Sequence, residues 1–220
     1  MKKDKINIAF VGGGTGGHIT PIFSLIQTLQ KDTELKKRFP HVYRFGQDAS
    51  MEQEWAQKIN MVEFIAISGG KWRRYRDIMS ILRNFQDIYF TGKWVVQAFW
   101  ELRKRAVDMV FVKGWSVSIP VGVAAYILNI PVLIHESDMV PNLTNKLLGK
   151  IALVKFGWFP ENLWADTVYV WQVLSEDLLD YYVAGSRLEV MLKPTTRAQV
   201  LVMGGSQGAA ILYDELLNLL

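Results

Sequence analysis

The chain lacks cysteine altogether and has only three histidines in 220 residues. Without cysteine there is no disulfide framework and no thiolate metal site, and three widely spaced histidines do not favour a metal centre. A long apolar run is also missing, because no stretch reaches the roughly 18 residues of a membrane span and only a short apolar segment follows the basic start. These absences indicate a cytosolic protein without a signal peptide.

The composition that remains is that of a folded chain. Half of the residues are hydrophobic and 21% are charged, which excludes disorder and fits one good-sized domain or slightly more. Segments typical of strands lie at 6–11, 42–45, 63–67, 109–112, 132–136 and 199–203. Helical patterns separate them, at 21–32, 49–58, 77–105, 120–128, 141–150 and 207–219. Apolar strands that alternate with helices predict an α/β fold with a parallel sheet covered on both faces.

Two glycine-rich segments follow predicted strands and precede predicted helices. They are VGGGTGGHITP at 11–21 and VLVMGGSQGA at 200–209. Their recurrence predicts two Rossmann-like units, of which the second has only just begun. We therefore expect an N-terminal domain over 1–165, a linker over 166–198 and the first β-α unit of a second domain over 199–220.

The first glycine segment has the composition of a phosphate-binding loop. Glycines allow close backbone approach, and a helix N-terminus offers N–H groups and the positive end of its dipole. Gly12, Gly14 and Gly17 satisfy G-x-G-x-x-G, but the acidic residue that would hold a ribose about 20 residues later is absent, since 35–41 reads LKKRFPH. This disfavours a nucleotide-dependent oxidoreductase, while a tight turn without any ligand stays open.

His18 lies where the helix after this loop should begin. The helix dipole there would lower its pKa and favour the neutral imidazole that a general base requires. A purely structural histidine is the alternative that its position alone leaves open.

Three segments resemble the signature motifs of the MurG family of glycosyltransferases. They are GGGTGGHITP at 12–21, HESDMVPNLTNKLLGKIA at 135–152 and VLVMGGSQGA at 200–209. The resemblance implies a GT-B enzyme whose N-terminal domain takes the acceptor and whose C-terminal domain takes the donor. It implies inverting transfer of N-acetylglucosamine from UDP-N-acetylglucosamine to undecaprenyl-linked muramyl-pentapeptide in peptidoglycan synthesis, at the cytoplasmic face of the membrane and without a cofactor.

The resemblance also assigns residues. His18 matches the proposed base, and Asp138 stands where many members have a sugar-binding asparagine. The other residues assigned to diphosphate, sugar or nucleotide are Thr15, Gly16, Gly17 and Ser206, with Gly13, Gly14, Glu136, Gln207 and Gly208 as further candidates. Glu136 is equally open to interpretation as a helix N-terminal acid, and Asn142 and Asn145 are expected to be turn and cap residues.

Several positions depart from the family pattern. Trp115 and Trp171 each replace a glycine, and Ser175 replaces a donor-binding arginine. A bulky side chain at 115 should block a loop that approaches phosphate. Two explanations stay open: ordinary divergence, or UGA codons that mean glycine in the source and were translated as tryptophan.

Because the sequence stops one helix into the second unit, we expect an incomplete form that does not bind donor normally. A non-catalytic, membrane-associated module that binds the acceptor is the alternative.

A basic segment precedes the long predicted helix. Its cations are Lys71, Arg73, Arg74 and Arg76, and the apolar residues that follow fall on one helix face, at Ile78, Ile81, Leu82, Phe85, Ile88 and Tyr89. This pattern fits an anionic membrane surface, although a core-facing helix with a solvated basic turn is equally compatible. No nucleic-acid motif accompanies the cations, so no nucleic-acid partner is expected.

Overall fold

The computed structural model describes residues 3–47, 51–58, 62–67, 92–159, 164–170 and 173–174. The predicted second unit at 199–220 lies outside these residues, as does the basic segment with its amphipathic pattern at 69–90. The division of the chain into domains therefore stays a prediction.

The described residues form a seven-stranded sheet in which every neighbouring pair is parallel. The strands are β1 Asn7–Val11, β2 His41–Gly46, β3 Val62–Ala66, β4 Met109–Val112, β5 Val132–Glu136, β6 Val154–Gly157 and β7 Thr167–Tyr169. Their spatial order is β3-β2-β1-β4-β5-β6-β7. The predicted α/β class with a parallel sheet is confirmed.

Helices cover both faces of this sheet. They are α1 Gly16–Lys31, α2 Thr33–Arg38, α3 Met51–Lys58, α4 at 92–104, α5 Ser118–Ile127 and α6 Leu143–Leu148. Ile22 and Ile26 of α1 join one core cluster with Phe10 of β1, whereas Ala98 of α4 joins a second, larger core cluster with Ala9. Successive strand residues point to opposite faces, so burial on both sides explains why the strands are apolar throughout. Within the described ranges, no helix is long and apolar enough to cross a membrane.

Three local predictions need correction. The first helix begins at Gly16, not at residue 21, and Pro21 lies inside it. The short helix α2 was not predicted, and its first amides are capped by the carboxylate of Asp32. Strands β6 and β7 were not predicted either, and β7 extends the sheet to Tyr169, within the range expected to be a linker. The helix predicted at 77–105 is described only from residue 92, where it forms α4.

The strand order places a topological switch between β1 and β4. From β1 the chain builds outward to β2 and β3, and it then returns to β4 and builds in the other direction. Connections that leave two adjacent strands in opposite directions open a crevice at the carboxyl edge of a parallel sheet, where ligands of such folds bind.

Candidate functional site

Three loops meet at this crevice, because β1, β4 and β5 are neighbours and all end at the same edge. We name them the glycine loop (12–15, after β1), the lysine loop (113–117, after β4) and the acidic loop (137–142, after β5). Each loop leads directly into a helix: α1, α5 and α6 respectively.

The glycine loop brings its backbone close to its neighbours. A Cβ on Gly12 would lie 3.1 Å from Cβ of Lys113, and Gly14 adopts a φ of +83° that favours glycine. Thr15 caps α1 with extended backbone, but its hydroxyl makes no capping hydrogen bond. The space beside Gly17 is open, since a Cβ there would meet only the Thr15 hydroxyl at 3.9 Å. The start of α1 is thus an exposed helix N-terminus of the kind that accepts anions.

A buried arginine binds the backbone of this loop. Arg44 of β2 is fully buried, and its guanidinium donates hydrogen bonds to the carbonyl oxygens of Gly12, Phe10 and Phe45. Arg44 was not among the site residues predicted from the sequence. The available signal was a single cation inside the apolar strand VYRF, which indicates a charge with specific partners because unpaired charges are rarely buried.

His18 lies in the first turn of α1 and faces the lysine loop. Its Nδ1 is 3.2 Å from the carbonyl oxygen of Lys113. Because a carbonyl only accepts, Nδ1 carries the proton in this contact, and Nε2 of the neutral ring is left as an acceptor. Burial lowers the pKa of His18 and the positive charge of Lys113 lowers it further, while the charge of Asp138 acts in the opposite direction. The neutral, basic form is therefore favoured near neutral pH.

Lys113 is itself buried, with 1% of its surface exposed. Its ammonium donates a hydrogen bond of 2.6 Å to the hydroxyl of Ser137. Burial lowers the pKa of Lys113 to about 8, against the opposing charges of Glu136 and Asp138. Lys113 was not among the site residues predicted from the sequence, although a lysine directly after the apolar strand MVFV was a usable signal.

Glu136 organises the acidic loop. Its carboxylate oxygens accept hydrogen bonds from the backbone N–H of Ser137, Asp138 and Asn142, and from the side-chain amides of Asn142 and Asn145. The side chain of Asn142 in turn caps α6, as expected for a cap residue. Asp138 is exposed at the crevice, and its backbone is fixed by Glu136.

The side chain of Trp115 lies against the glycine loop at Gly14. A Cβ placed on Gly14 would lie 2.0 Å from Cε2 of the indole, and the centroids of the indole and His18 rings are 6.0 Å apart. Trp115 also has a φ of +76°, a backbone conformation in which bulky residues are rare.

The crevice thus brings together most of the residues singled out from the sequence. On the glycine loop and the start of α1 are Gly13, Gly14, Thr15, Gly16, Gly17 and His18, and Glu136 and Asp138 lie two strands away at the same edge. Ser206, Gln207 and Gly208 lie outside the described residues, so their contacts with a nucleotide stay predictions.

Comparisons with known proteins agree with the motifs. Residues 8–154 match the family described as the glycosyltransferase family 28 N-terminal domain. A Clostridium botulinum protein named "UDP-N-acetylglucosamine--N-acetylmuramyl-(pentapeptide) pyrophosphoryl-undecaprenol N-acetylglucosamine transferase" is 34% identical, over 96% of this chain and 57% of the relative. A Clostridium kluyveri protein of the same name is 33% identical, over 100% of this chain and 59% of the relative. The chain therefore spans a little over half the length of the curated relatives it matches.

The fold comparison gives the same result. The crystal structure of Acinetobacter baumannii MurG superimposes with a TM-score of 0.60 and 26% identity, over 76% of this chain and 44% of that chain. The resemblance drawn from the three sequence segments is confirmed.

Proposed function

Because the chain belongs to glycosyltransferase family 28, we propose that it forms the acceptor-side domain of an inverting N-acetylglucosaminyltransferase. The proposed donor is UDP-N-acetylglucosamine and the proposed acceptor is the undecaprenyl-linked muramyl-pentapeptide, the molecules in the relatives' name. The observation that carries the proposal is the contact between His18 Nδ1 and the Lys113 carbonyl oxygen. It leaves the second ring nitrogen as a base at the mouth of a loop suited to phosphate.

In the proposed reaction, the 4-hydroxyl oxygen of the acceptor sugar attacks the anomeric carbon of the donor. The bond from that carbon to the diphosphate oxygen breaks, and UDP leaves with the electron pair. His18 Nε2 takes the hydroxyl proton, for which a lowered pKa is suitable because the base must be neutral before the reaction.

The remaining site residues bind and orient the substrates. The first turn of α1, with Gly16 and Gly17, faces a diphosphate with the positive end of the helix dipole. The exposed carboxylate of Asp138 accepts hydrogen bonds from sugar hydroxyls. Ser206 and the helix predicted after it from the sequence are proposed to hold the donor's diphosphate.

The outward face of α4 supports binding at the cytoplasmic membrane surface. Val96 and Trp100 are 58% and 60% exposed, and with Lys93, Arg103 and Lys104 they recur at intervals of three or four residues on one side of the helix. None of these three cations forms an ion pair with another described residue. Exposed aromatic and aliphatic groups among cations suit the interface of an anionic bilayer, where an enzyme with a lipid-linked acceptor must work. Lys71, Arg73, Arg74 and Arg76 stand shortly before α4 in the sequence and are proposed to extend this surface.

The proposal is tested by turnover on a soluble analogue of the lipid acceptor. The chain is joined to the donor domain of the Clostridium botulinum relative and assayed with tryptophan or glycine at position 115, since the indole lies over the loop. Loss of a positioned base typically removes a factor of about 10² to 10⁴, so His18→Ala should lower kcat by that factor and leave UDP affinity nearly unchanged. His41→Ala, at the opposite edge of the sheet, is the control. If His18→Ala retains kcat within a factor of about two, the role of His18 as base is wrong.

A further inference from the structure

We propose that position 115 is built for glycine, and that the indole of Trp115 closes the glycine loop to diphosphate, so that glycine at 115 opens it. The statement about ligand access rests on the proposed function, whereas the statement about the backbone does not.

The backbone of the lysine loop has two consecutive residues with positive φ. Gly114 has a φ of +110° and Trp115 a φ of +76°. Left-handed backbone costs an L-residue about 1–2 kcal/mol, and glycine adopts it without that cost. The other described non-glycine residues with positive φ are Ala106 and Asn129, both with smaller side chains.

Hydrogen bonds at the start of α5 hold this conformation independently of the indole. The backbone N–H of Ser118 donates to the carbonyl oxygen of Trp115 at 3.1 Å. The hydroxyl of Ser118 donates to the carbonyl oxygen of Gly114 at 2.6 Å. Because both bonds use only the main chain at 114 and 115, they can form whichever side chain position 115 carries.

The indole packs against Gly14 of the glycine loop. A Cβ on Gly14 would lie 2.0, 2.3 and 2.4 Å from the indole atoms Cε2, Cδ2 and Cζ2, distances that no side chain tolerates. The His18 ring lies beside the indole, with centroids 6.0 Å apart and planes inclined at 46°. The indole therefore lies against the loop backbone at Gly14 and beside the ring of the proposed base.

An indole against the glycine loop does not match the electrostatic character of the rest of the crevice. The first turn of α1 and the ammonium of Lys113 both favour an anion, but the indole is uncharged and has a single N–H donor. Glycine at 115 would remove the indole and relax the backbone together. The single substitution Trp115→Gly would thus remove both the left-handed backbone at a bulky residue and the contact of the indole with the glycine loop.

The backbone statement is tested by thermal unfolding of Trp115→Gly and Trp115→Ala, which differ only by a methyl group. We expect the Tm of the glycine variant to lie about 2–8 °C above that of the alanine variant, because only glycine escapes the left-handed cost. The matched control is Trp100→Gly and Trp100→Ala in the interior of α4, where glycine should lie about 2–4 °C below alanine. If alanine equals or exceeds glycine at 115, the backbone statement is overturned.

The access statement is tested with inorganic pyrophosphate and the full chain. In Trp115→Gly, the amide resonances of Gly14, Gly16 and Gly17 should shift saturably as pyrophosphate is added, and in the parent and in Trp100→Gly they should not. Equal shifts in all three proteins, or none in any of them, overturn the access statement.

Turnover of the joined enzyme separates this proposal from the proposed function. Equal turnover with tryptophan and glycine at 115 overturns the closed loop and leaves the reaction intact. Pyrophosphate binding by Trp115→Gly without turnover supports the opened loop and overturns the reaction.

Discussion

Nδ1 of His18 lies 3.2 Å from the carbonyl oxygen of Lys113, so the residue directly after β4 determines which nitrogen of a histidine on α1 carries the proton. The same lysine acts on the ring a second time, since its positive charge lowers the pKa of His18. Its main chain thus selects the tautomer and its side chain disfavours the charged ring.

Removal of the charge of Lys113 should weaken its effect on the pKa of His18 and leave the selected tautomer unchanged. In Lys113→Met the carbonyl contact can persist, but we expect the pKa of His18 to rise toward the ordinary histidine value. NMR titration of the ring measures this directly, and in the joined enzyme the acidic limb of kcat/KM should move to higher pH. Lys5→Met, near the opposite edge of the sheet, is the control. An unchanged or lower pKa of His18 in Lys113→Met would contradict the electrostatic role of Lys113.

Two neighbouring carboxylates should differ sharply in their contribution to stability. Glu136 is buried and accepts five hydrogen bonds in the acidic loop, whereas Asp138 is exposed. Glu136→Gln replaces one acceptor oxygen by a donor and should lower the free energy of unfolding by about 1–3 kcal/mol. Asp138→Asn should change it by less than about 0.5 kcal/mol. Urea unfolding of both variants decides the matter, and equal losses would contradict the organising role of Glu136.

His135 should make the fold sensitive to mild acid. It is 2% exposed, stacks on Phe111, and neither ring nitrogen has a hydrogen-bond partner within the described part of the chain. Burial lowers the pKa of His135 to about 4. The unfolded chain therefore binds this proton first, and stability is lost as pH falls from about 6.5 to about 4.

The size of this loss follows from the shift, which corresponds to about 3 kcal/mol. His135→Phe keeps a planar ring against Phe111 and removes the titration. Urea unfolding between pH 7 and pH 4 should therefore show a smaller loss in the variant than in the parent. Parallel curves for the two proteins would mean that His135 does not titrate in this way.

The outward face of α4 should bind vesicles rich in anionic lipid. A triple change of Lys93, Arg103 and Lys104 to Ser should weaken binding by about 100-fold at low salt, since each cation near such a surface contributes about 1 kcal/mol. The matched control changes the exposed cations of α2, Lys36, Lys37 and Arg38, to Ser, for the same loss of charge. If both triple variants lose affinity equally, net charge and not the α4 face is responsible.

Sequence patterns predicted β4 and β5 with their observed bounds. The strand β4 is an apolar run that ends before Lys113, and β5 is a short apolar run that continues into the buried polar residues His135 and Glu136. The sequence patterns missed β7, whose three residues are strand only because β6 lies beside them. The supporting roles of Arg44 and Lys113 were also missed. A buried cation depends on carbonyl and hydroxyl partners from distant parts of the chain, and a linear pattern does not contain them.

Codon 115 of the gene should reveal whether the source reads this position as glycine. A left-handed backbone at Trp115 and an indole pressed on Gly14 are both expected where a glycine was read as tryptophan. We therefore expect codon 115 to be UGA in the source, and the peptide isolated from the native cells to carry glycine there. Codon 171 should be UGA as well, on the sequence argument alone, since Trp171 lies outside the described residues.

Genuine tryptophans provide the internal control. The ring of Trp55 packs on Phe23 with centroids 5.3 Å apart, and Trp164 packs against the larger core cluster. Both positions use the indole as an apolar group, so their codons should be UGG. Sequencing of the gene identifies the codon at position 115, and mass spectrometry of the native peptide identifies the residue that the cell inserts there. UGG at position 115, or tryptophan in the native peptide, would make Trp115 a true substitution, and the closed loop would then be a property of the native protein.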